Sequence, residues 1–345
     1  MNQLFTIMER FAPEAIEIME VRYQVLRQIL HNAPVGRRQI ARNTGCSERL
    51  VRTEVDTLRE RGAIATTPAG LYLTACGQDL LNEIDEVIPY LFKINTLADR
   101  LKERFDLKEV IIVPGDSYGD ALAKKDLGRA AARFLLNALY PGCVVAVTGG
   151  TTLAEMADAI KGRNVPDVMV VPARGGLGEK MEQQASTIAA RIAQAIGAQY
   201  RLLHIPDSLE QSTAEALKRD NHIREVVNLI KSSNLLIHGI GPAIEMANRR
   251  GLTAEQIQIL NEGQAVGEAL RYYFDNLGNI VYETPGIGLE GDDIASIDTV
   301  VAVAGGSNKA MAIESVLRNR RRDVLITDEG AAKKIICGKD DHKCR

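Results

Sequence analysis

Between Asp106 and the C-terminal end, short runs rich in valine, isoleucine and leucine alternate with stretches of helical periodicity. The runs are Val110 to Val113, Val144 to Val147, Val168 to Val171, Leu235 to His238, Val300 to Ala304 and Val324 to Thr327. Helical patterns fill the intervals, as at Leu127 to Leu139 and Met181 to Ile196. A strand that is apolar on consecutive residues must be covered on both faces, and an intervening helix returns the next strand parallel. The pattern predicts an α/β fold of the doubly wound type, with a mostly parallel sheet between layers of helices. Ligands of such sheets bind outside the carboxyl ends of the strands. The residues that follow each run are therefore the ones to read for chemistry.

Two of those strand ends share one design. Val145 to Val147 leads through Thr148 into Gly149-Gly150-Thr151-Thr152 and then a helix; Val301 to Ala304 leads into Gly305-Gly306-Ser307-Asn308-Lys309. Paired glycines let the backbone approach an anion closely, and the first amides of a helix point at it. Thr151, Thr152 and Ser307 add hydroxyls, and Lys309 adds a cation. Arg174 closes a third strand ahead of Gly175-Gly176, and Gly239-Ile240-Gly241 closes a fourth. Two such nests suggest a ligand with two anionic groups. Gln184, Arg250 and Glu268 are secondary candidates. Arg250 would meet a phosphate and Glu268 would accept from sugar hydroxyls, although each reads equally well as a solvated helix residue. The Arg318, Arg320, Arg321, Arg322 cluster reads as an exposed helix end. Neither turn has the P-loop spacing or the third glycine of the dinucleotide fingerprint, so no nucleotide cofactor is expected.

Ahead of this region the pattern changes. Val25, Leu26, Ile29 and Leu30 form the buried stripe of one helix, and a short helix follows from Arg38 to Thr44 with Ile40 and Ala41 inward. Gly45 stops it where a positive φ is easiest, and Ser47 caps the next helix, Glu48 to Arg61. Val51, Val55 and Leu58 share one face of that helix, leaving Arg49, Arg52, Thr53 and Arg59 to reach outward. Helix, glycine turn and helix form the helix-turn-helix arrangement, whose second helix lies in the major groove of DNA. Arginine forks there pair with guanine, and threonine touches a thymine methyl. Arg37, Arg38, Ser47 and Glu48, at the starts of the two helices, complete the expected DNA-facing set. Ile64 to Thr67 and Leu71 to Thr74, around Pro68-Ala69-Gly70, read as a wing. The partner expected for this region is double-stranded operator DNA.

Three segments follow from this reading: a winged helix-turn-helix domain over 1–78, a connecting helix over 79–105 and a ligand-binding domain over 106–340. Leu80, Ile84, Val87, Leu91, Ile94, Ala98 and Leu101 alternate steps of four and three, the seam of a coiled coil that would pair two reading heads. Pro89 should kink that helix. Leu4, Ile7, Met8 and Phe11 suit docking on the winged domain or on a partner subunit. Aromatic residues are only 4%, with no Trp, which disfavours a stacking surface for single strands. No run reaches the roughly 18 apolar residues of a membrane span, and the expected location is cytoplasmic. The five cysteines are scattered, and Cys337, His342 and Cys344 lack the fourth ligand of a zinc site. No metal is expected.

These features together resemble the SorC-type sugar-binding transcriptional regulators. The resemblance runs from the winged segment to Ile326-Thr327-Asp328-Glu329 and is carried by Leu127-Gly128-Arg129 with its alanines, Pro141-Gly142 and Val145 to Thr152. Ala173-Arg174-Gly175-Gly176 and Gly305 to Lys309 narrow it to regulators of glycolytic genes. It implies a repressor of a glycolytic operon, relieved by fructose-1,6-bisphosphate or another sugar phosphate, working as a homodimer or homotetramer. It further implies that Thr151, Thr152, Arg174, Gln184, Arg250, Glu268 and Lys309 contact the ligand. The ligand-binding domain also resembles glucosamine-6-phosphate deaminase and ribose-5-phosphate isomerase, so a sugar-phosphate enzyme is the rival reading. Against it, Gly239-Ile240-Gly241-Pro242-Ala243 stands where the deaminases carry Asp-x-His. His238, Asp116 and Asp120 form no evident acid–base pair. An activator with the same architecture is a further alternative.

Overall fold

The computed structural model describes residues 2–161, 164–176, 180–207, 209–319 and 323–338. It divides into two compact units between Thr96 and Leu97. The first contains helices α1 (Asn2–Phe11), α2 (Pro13–Asn32), α3 (Arg37–Thr44) and α4 (Glu48–Glu60), then strands β1 (Ile64–Thr67) and β2 (Gly70–Leu73), then α5 (Ala75–Ile84) and α6 (Ile88–Leu91). Leu26 and Ile29 of α2, Ile40 of α3, and Val51, Val55 and Leu58 of α4 bury their stripes in one core with Leu71 and Leu81. Each such side chain contributes about 1.5–3 kcal/mol by leaving water. Gly45 takes φ 72° after α3, and the Ser47 hydroxyl accepts from the Leu50 amide at 3.2 Å, so α3 stops and α4 starts where expected. The wing is an antiparallel pair registered from Ile64 opposite Leu73 to Thr67 opposite Gly70.

Helix α1 docks on its own winged unit. Phe5 is buried and stacks on Tyr90 with ring centroids 5.8 Å apart, while Leu4, Ile7 and Phe11 are exposed. The single connecting helix expected over 79–105 is not formed. Its residues divide among α5, α6 and α7 (Asn95–Phe105). Pro89 falls in the first turn of α6, where its missing amide costs nothing, and Lys93 takes φ 56° between α6 and α7. Of the apolar residues that read as a seam, Leu91 lies in the core of the first unit, and Leu80, Ile84 and Val87 pack against that core.

The second unit continues with β3 (Glu109–Val113), α8 (Ala121–Ala138), β4 (Val144–Val147), α9 (Thr151–Ala159), β5 (Met169–Pro172), α10 (Ala185–Ile196) and β6 (Gln199–Tyr200). Next come α11 (Gln211–Lys218), α12 (Asn221–Lys231), β7 (Leu235–Gly239), β8 (Gly241–Pro242), α13 (Ala243–Arg249) and α14 (Ala254–Glu262). The chain closes with β9 (Gly267–Ala269), β10 (Tyr272–Phe274), β11 (Ile280–Glu283), α15 (Gly291–Ser296), β12 (Thr299–Val303), α16 (Ala310–Asn319), β13 (Val324–Asp328) and α17 (Glu329–Cys337).

Seven strands pair in the order β3-β13-β12-β7-β4-β5-β6, every pair parallel. All six expected strands are among them, and helices bury Leu135, Leu153, Ile188 and Ile192 against Val145, Ile237, Val301 and Ile326. At Gly128 a Cβ would stand 2.6 Å from that of Glu155, so the glycine of the Leu127-Gly128-Arg129 motif lets α8 and α9 pack closely. A second sheet of four strands, β11-β10-β9-β8, is antiparallel. Its strands of two to four residues are too short to show a period in the sequence.

Candidate functional site

The order of the main sheet fixes where its cleft opens. From β4 the chain moves outward through β5 to β6, and from β7 it moves the other way through β12 to β13. Adjacent strands whose connections depart in opposite directions leave a crevice at their carboxyl ends. Gly149 to Leu153 after β4 and Gly239 to Pro242 after β7 line it, together with Arg174, Gln184, Arg249, Arg250, Glu268 and Lys309. It encloses about 820 Å³, its open mouth included.

At the β4 end, Gly150 is the N-cap of α9 and no side chain caps that terminus. The Gly150 amide itself donates to the Gln183 carbonyl oxygen at 2.8 Å. The first amides of the helix are left over by its own hydrogen bonding, and Thr151 and Thr152 line the cleft beside them. A Cβ on Gly149 would stand 2.6 Å from that same Gln183 oxygen, so the turn and the segment before α10 are pressed together.

The second glycine turn is not an open nest. Gly305, Gly306 and Ser307 do not line the cleft. The Gly306 amide donates to Asp328 Oδ2 at 2.7 Å and the Ser307 amide to Asp116 Oδ1 at 2.9 Å. Asp328 also accepts from the amides of Ser117 and Ala331, fastening the loops after β3 and β12 to α17. Burial pushes the Asp116 carboxyl up, but hydrogen bonds from Ser307 and Tyr118 outweigh it and hold the group below the usual range. Lys309 alone brings this turn into the cleft. It makes no ion pair among the described residues, and burial, then the neighbouring Lys124, pushes its ammonium below 10.5.

The floor of the cleft is a buried ionic cluster. Arg174 Nε and Arg250 Nη1 donate to the two carboxylate oxygens of Asp207. Arg250 Nη2 donates to Glu268 Oε1 at 2.8 Å and to the Leu270 carbonyl oxygen at 3.2 Å. Arg174 Nη1 lies 3.5 Å from Glu268 Oε1 and is buried without a hydrogen-bond partner. Burial pulls the Arg174 guanidinium down to about 10, still far above neutrality. Arg250, expected to meet a phosphate, is therefore committed to Asp207 and Glu268. Its neighbour Arg249 lines the cleft instead, with Nη2 3.4 Å from Gln183 Oε1. Asp207, Glu245 and Arg249 are lining residues that the sequence reading missed. Arg249 adjoined a named candidate, whereas nothing in the pattern around Pro206-Asp207 marks that loop.

In the first unit Arg37, Arg38, Arg49, Arg52, Thr53 and Arg59 are all exposed, as are Ser47 and Glu48. Arg37 and Arg59 pair with Asp56 at 3.8 and 3.1 Å, and Arg38 pairs with Glu48 at 3.6 Å. Arg49 and Arg52 make no ion pair among the described residues, so two guanidiniums on the outer face of α4 are available to a partner. Glu54, buried on the inner face, is matched by Arg22 of α2 at 2.6 Å. Of the tail groups, His342 and Cys344 lie outside the described residues, as do Arg320, Arg321 and Arg322. Arg318 is exposed and pairs with Glu314 at 2.7 Å.

A helix-turn-helix unit with a wing, followed by an α/β unit with a polar cleft at its switch point, defines a ligand-responsive DNA-binding regulator. Residues 18–88 match the CggR N-terminal DNA binding domain, and residues 91–337 match the sugar-binding domain family. The chain belongs to the SorC-type sugar-binding transcriptional regulators, in the branch of the central glycolytic genes regulators. The central glycolytic genes regulator of Priestia megaterium is 40% identical over 97% of this chain and 99% of its own length. That of Bacillus subtilis is 39% identical over the same shares. A SorC family regulator from Enterococcus faecalis superposes with a TM-score of 0.65 at 35% identity, over 70% of this chain and 99% of that one. The full-length sorbitol operon regulator of Klebsiella pneumoniae shares the fold at 18% identity, with a TM-score of 0.66 over 92% of this chain and 97% of its own. No helix of the described residues is long and apolar enough to cross a membrane.

Proposed function

We propose that this chain is a cytoplasmic repressor of a glycolytic operon whose hold on operator DNA is released by fructose-1,6-bisphosphate. The observation that carries the reading is the spacing of two anion-holding places in one cleft. The uncapped N-terminus of α9 follows β4, and Lys309 follows β12, with β7 between them. Two strand spacings separate them by about 10 Å, a span suited to a sugar with a phosphate at each end. Thr151 and Thr152 hold one phosphate; Lys309 and Arg249 hold the other. Arg174, Gln184 and Glu268 face the carbon chain, and Arg250 acts behind them through its ion pairs. Gly305, Gly306 and Ser307 shape the turn that delivers Lys309.

The same geometry favours binding over turnover. His238 is wholly buried with Nδ1 against the Gly239 carbonyl oxygen, Asp120 caps α8, and Asp116 holds the Ser307 amide. Proton transfer requires an acid or base within reach of the substrate, and each of these groups serves the fold. On the DNA side, Arg49, Arg52 and Thr53 of α4 read the major groove, and Arg37, Arg38 and Arg59 meet phosphates. Two half-sites require paired heads, so the working form is a homodimer or homotetramer.

Binding of the purified protein to promoter fragments from its own genome, at fixed salt, tests the reading. Retention of a glycolytic promoter that fructose-1,6-bisphosphate weakens, at concentrations where glucose 6-phosphate does little, is the expected result. Promoter binding indifferent to the bisphosphate removes the effector, and binding strengthened by it makes the protein the opposite kind of switch. Turnover of a hexose or pentose phosphate would restore the enzyme reading.

A further inference from the structure

Asp207 lies in a segment without regular structure, yet its place is set from several sides. Its amide donates to the Gly176 carbonyl oxygen at 2.8 Å, and the Gly176 amide donates to that of Ile205 at 2.9 Å. Only a glycine fits at 175, since a Cβ there would stand 2.7 Å from the carbonyl oxygens of both Ile205 and Pro206. On the other flank, a Cβ at Gly286 would stand 2.9 Å from the Asp207 carbonyl oxygen. Gly175-Gly176 therefore serves the approach of this segment, and the segment delivers one carboxylate to the cleft.

That carboxylate, 3% exposed, is shared by two guanidiniums from different elements, Arg174 beyond β5 and Arg250 at the end of α13. Without it Glu268 alone would balance two buried guanidiniums, in a space where like charges repel strongly. Fixing Arg174 through Nε also fixes the plane of its guanidinium. Arg174 lines the cleft, and its Nη1 is buried without a hydrogen-bond partner.

We propose that Asp207 is a positioning residue of the effector site: it aims Arg174 Nη1 at a ligand hydroxyl and, with Glu268, neutralises both guanidiniums. This end of the cleft then takes the polyol chain, and the phosphates go to α9 and Lys309. The inference rests on the sugar-phosphate reading of the cleft. It gives Asp207 two separable effects. Its position sets affinity for the sugar, and its charge keeps a bare anion from settling among the arginines.

Calorimetric titration of the full chain with fructose-1,6-bisphosphate, fructose 6-phosphate and inorganic phosphate tests both, in the natural protein, Asp207→Glu and Asp207→Asn. Asp207→Glu keeps the charge but displaces the carboxylate. It should lose at least about tenfold in sugar-phosphate affinity, the size of one hydrogen bond to a charged group, with phosphate affinity unchanged. Asp207→Asn should bind inorganic phosphate more tightly and narrow the gap between sugar phosphate and phosphate. Thermal melting without ligand reports folding, and Asp207→Glu carries the test if Asp207→Asn does not fold. Unchanged sugar-phosphate affinity in folded Asp207→Glu overturns the proposal. A parallel loss for all three probes, or failure of both variants to fold, overturns it too, because Asp207 would then serve only the fold. Natural protein that binds none of the probes removes the sugar-phosphate reading itself, and this inference with it.

Discussion

Lys309 carries a charge that its surroundings oppose. Burial and Lys124 push its ammonium below the ordinary 10.5, while Glu245 and Asp328 pull the other way. In the proposed site Lys309 holds a phosphate in its protonated form, so its contribution to binding fades as pH rises through the lowered value, earlier than for an exposed lysine. For folding without ligand the sign reverses: the buried charge costs stability below 10.5, and that cost is relieved as pH rises through the same window. Affinity for fructose-1,6-bisphosphate, followed by calorimetry across the alkaline range, should fall below pH 10.5. Lys309→Gln should weaken binding at neutral pH by about 1.5–3 kcal/mol and remove that part of the fall. Lys309 was legible because it follows a glycine turn at a strand end. Arg250 and Arg249 were not separable in the same way, since adjacent positions near the end of α13 differ only in which one meets Asp207 and Glu268.

At the scale of elements, α4 separates into a buried stripe and an outer face as its period of 3.6 demands. Arg49 and Arg52 are exposed and make no ion pair among the described residues, whereas Arg37 and Arg59 share Asp56. Arg49→Ala and Arg52→Ala should therefore leave the melting temperature unchanged. Each should cost about 1–3 kcal/mol in discrimination between operator and mismatched DNA, measured by competition binding at one salt concentration. Loss of stability, or uniform weakening on every sequence, would reassign that arginine to the fold or to phosphates. The segment from α5 to α7 reads differently in sequence and in space. An alternation of threes and fours states only that one side of a helix is apolar, and Pro89 and Lys93 break the helix before that side can become a seam.

For the whole molecule, separate cores carry the two units: Leu26, Ile29, Ile40 and Val55 anchor one, and Val145, Leu153, Ile188 and Val301 the other. A fragment from Leu97 onward keeps every residue that lines the cleft. It should fold alone and bind fructose-1,6-bisphosphate as tightly as the full chain, with no affinity for operator DNA. Coupling between ligand and DNA, commonly about 1–3 kcal/mol, should appear only in the intact protein. A fragment that folds but binds the sugar phosphate more weakly would give the first unit a part in the effector site.

The sequence by itself determined what depends on neighbours along the chain. Strand runs, helix stripes, the Gly45 stop, the Ser47 cap and the turn at Gly149 to Thr152 all follow from local sterics and periodicity. Tertiary structure decided what depends on partners distant in sequence. Gly305-Gly306-Ser307 has the composition of an anion nest, but Asp116 and Asp328, supplied by other strand ends, already occupy its amides. Asp207 has no local signature at all, and becomes part of the site because Gly175 admits its loop and two arginines converge on it. A buried charge takes its meaning from the counter-charge that the fold brings to it, and no spacing along the chain encodes that meeting.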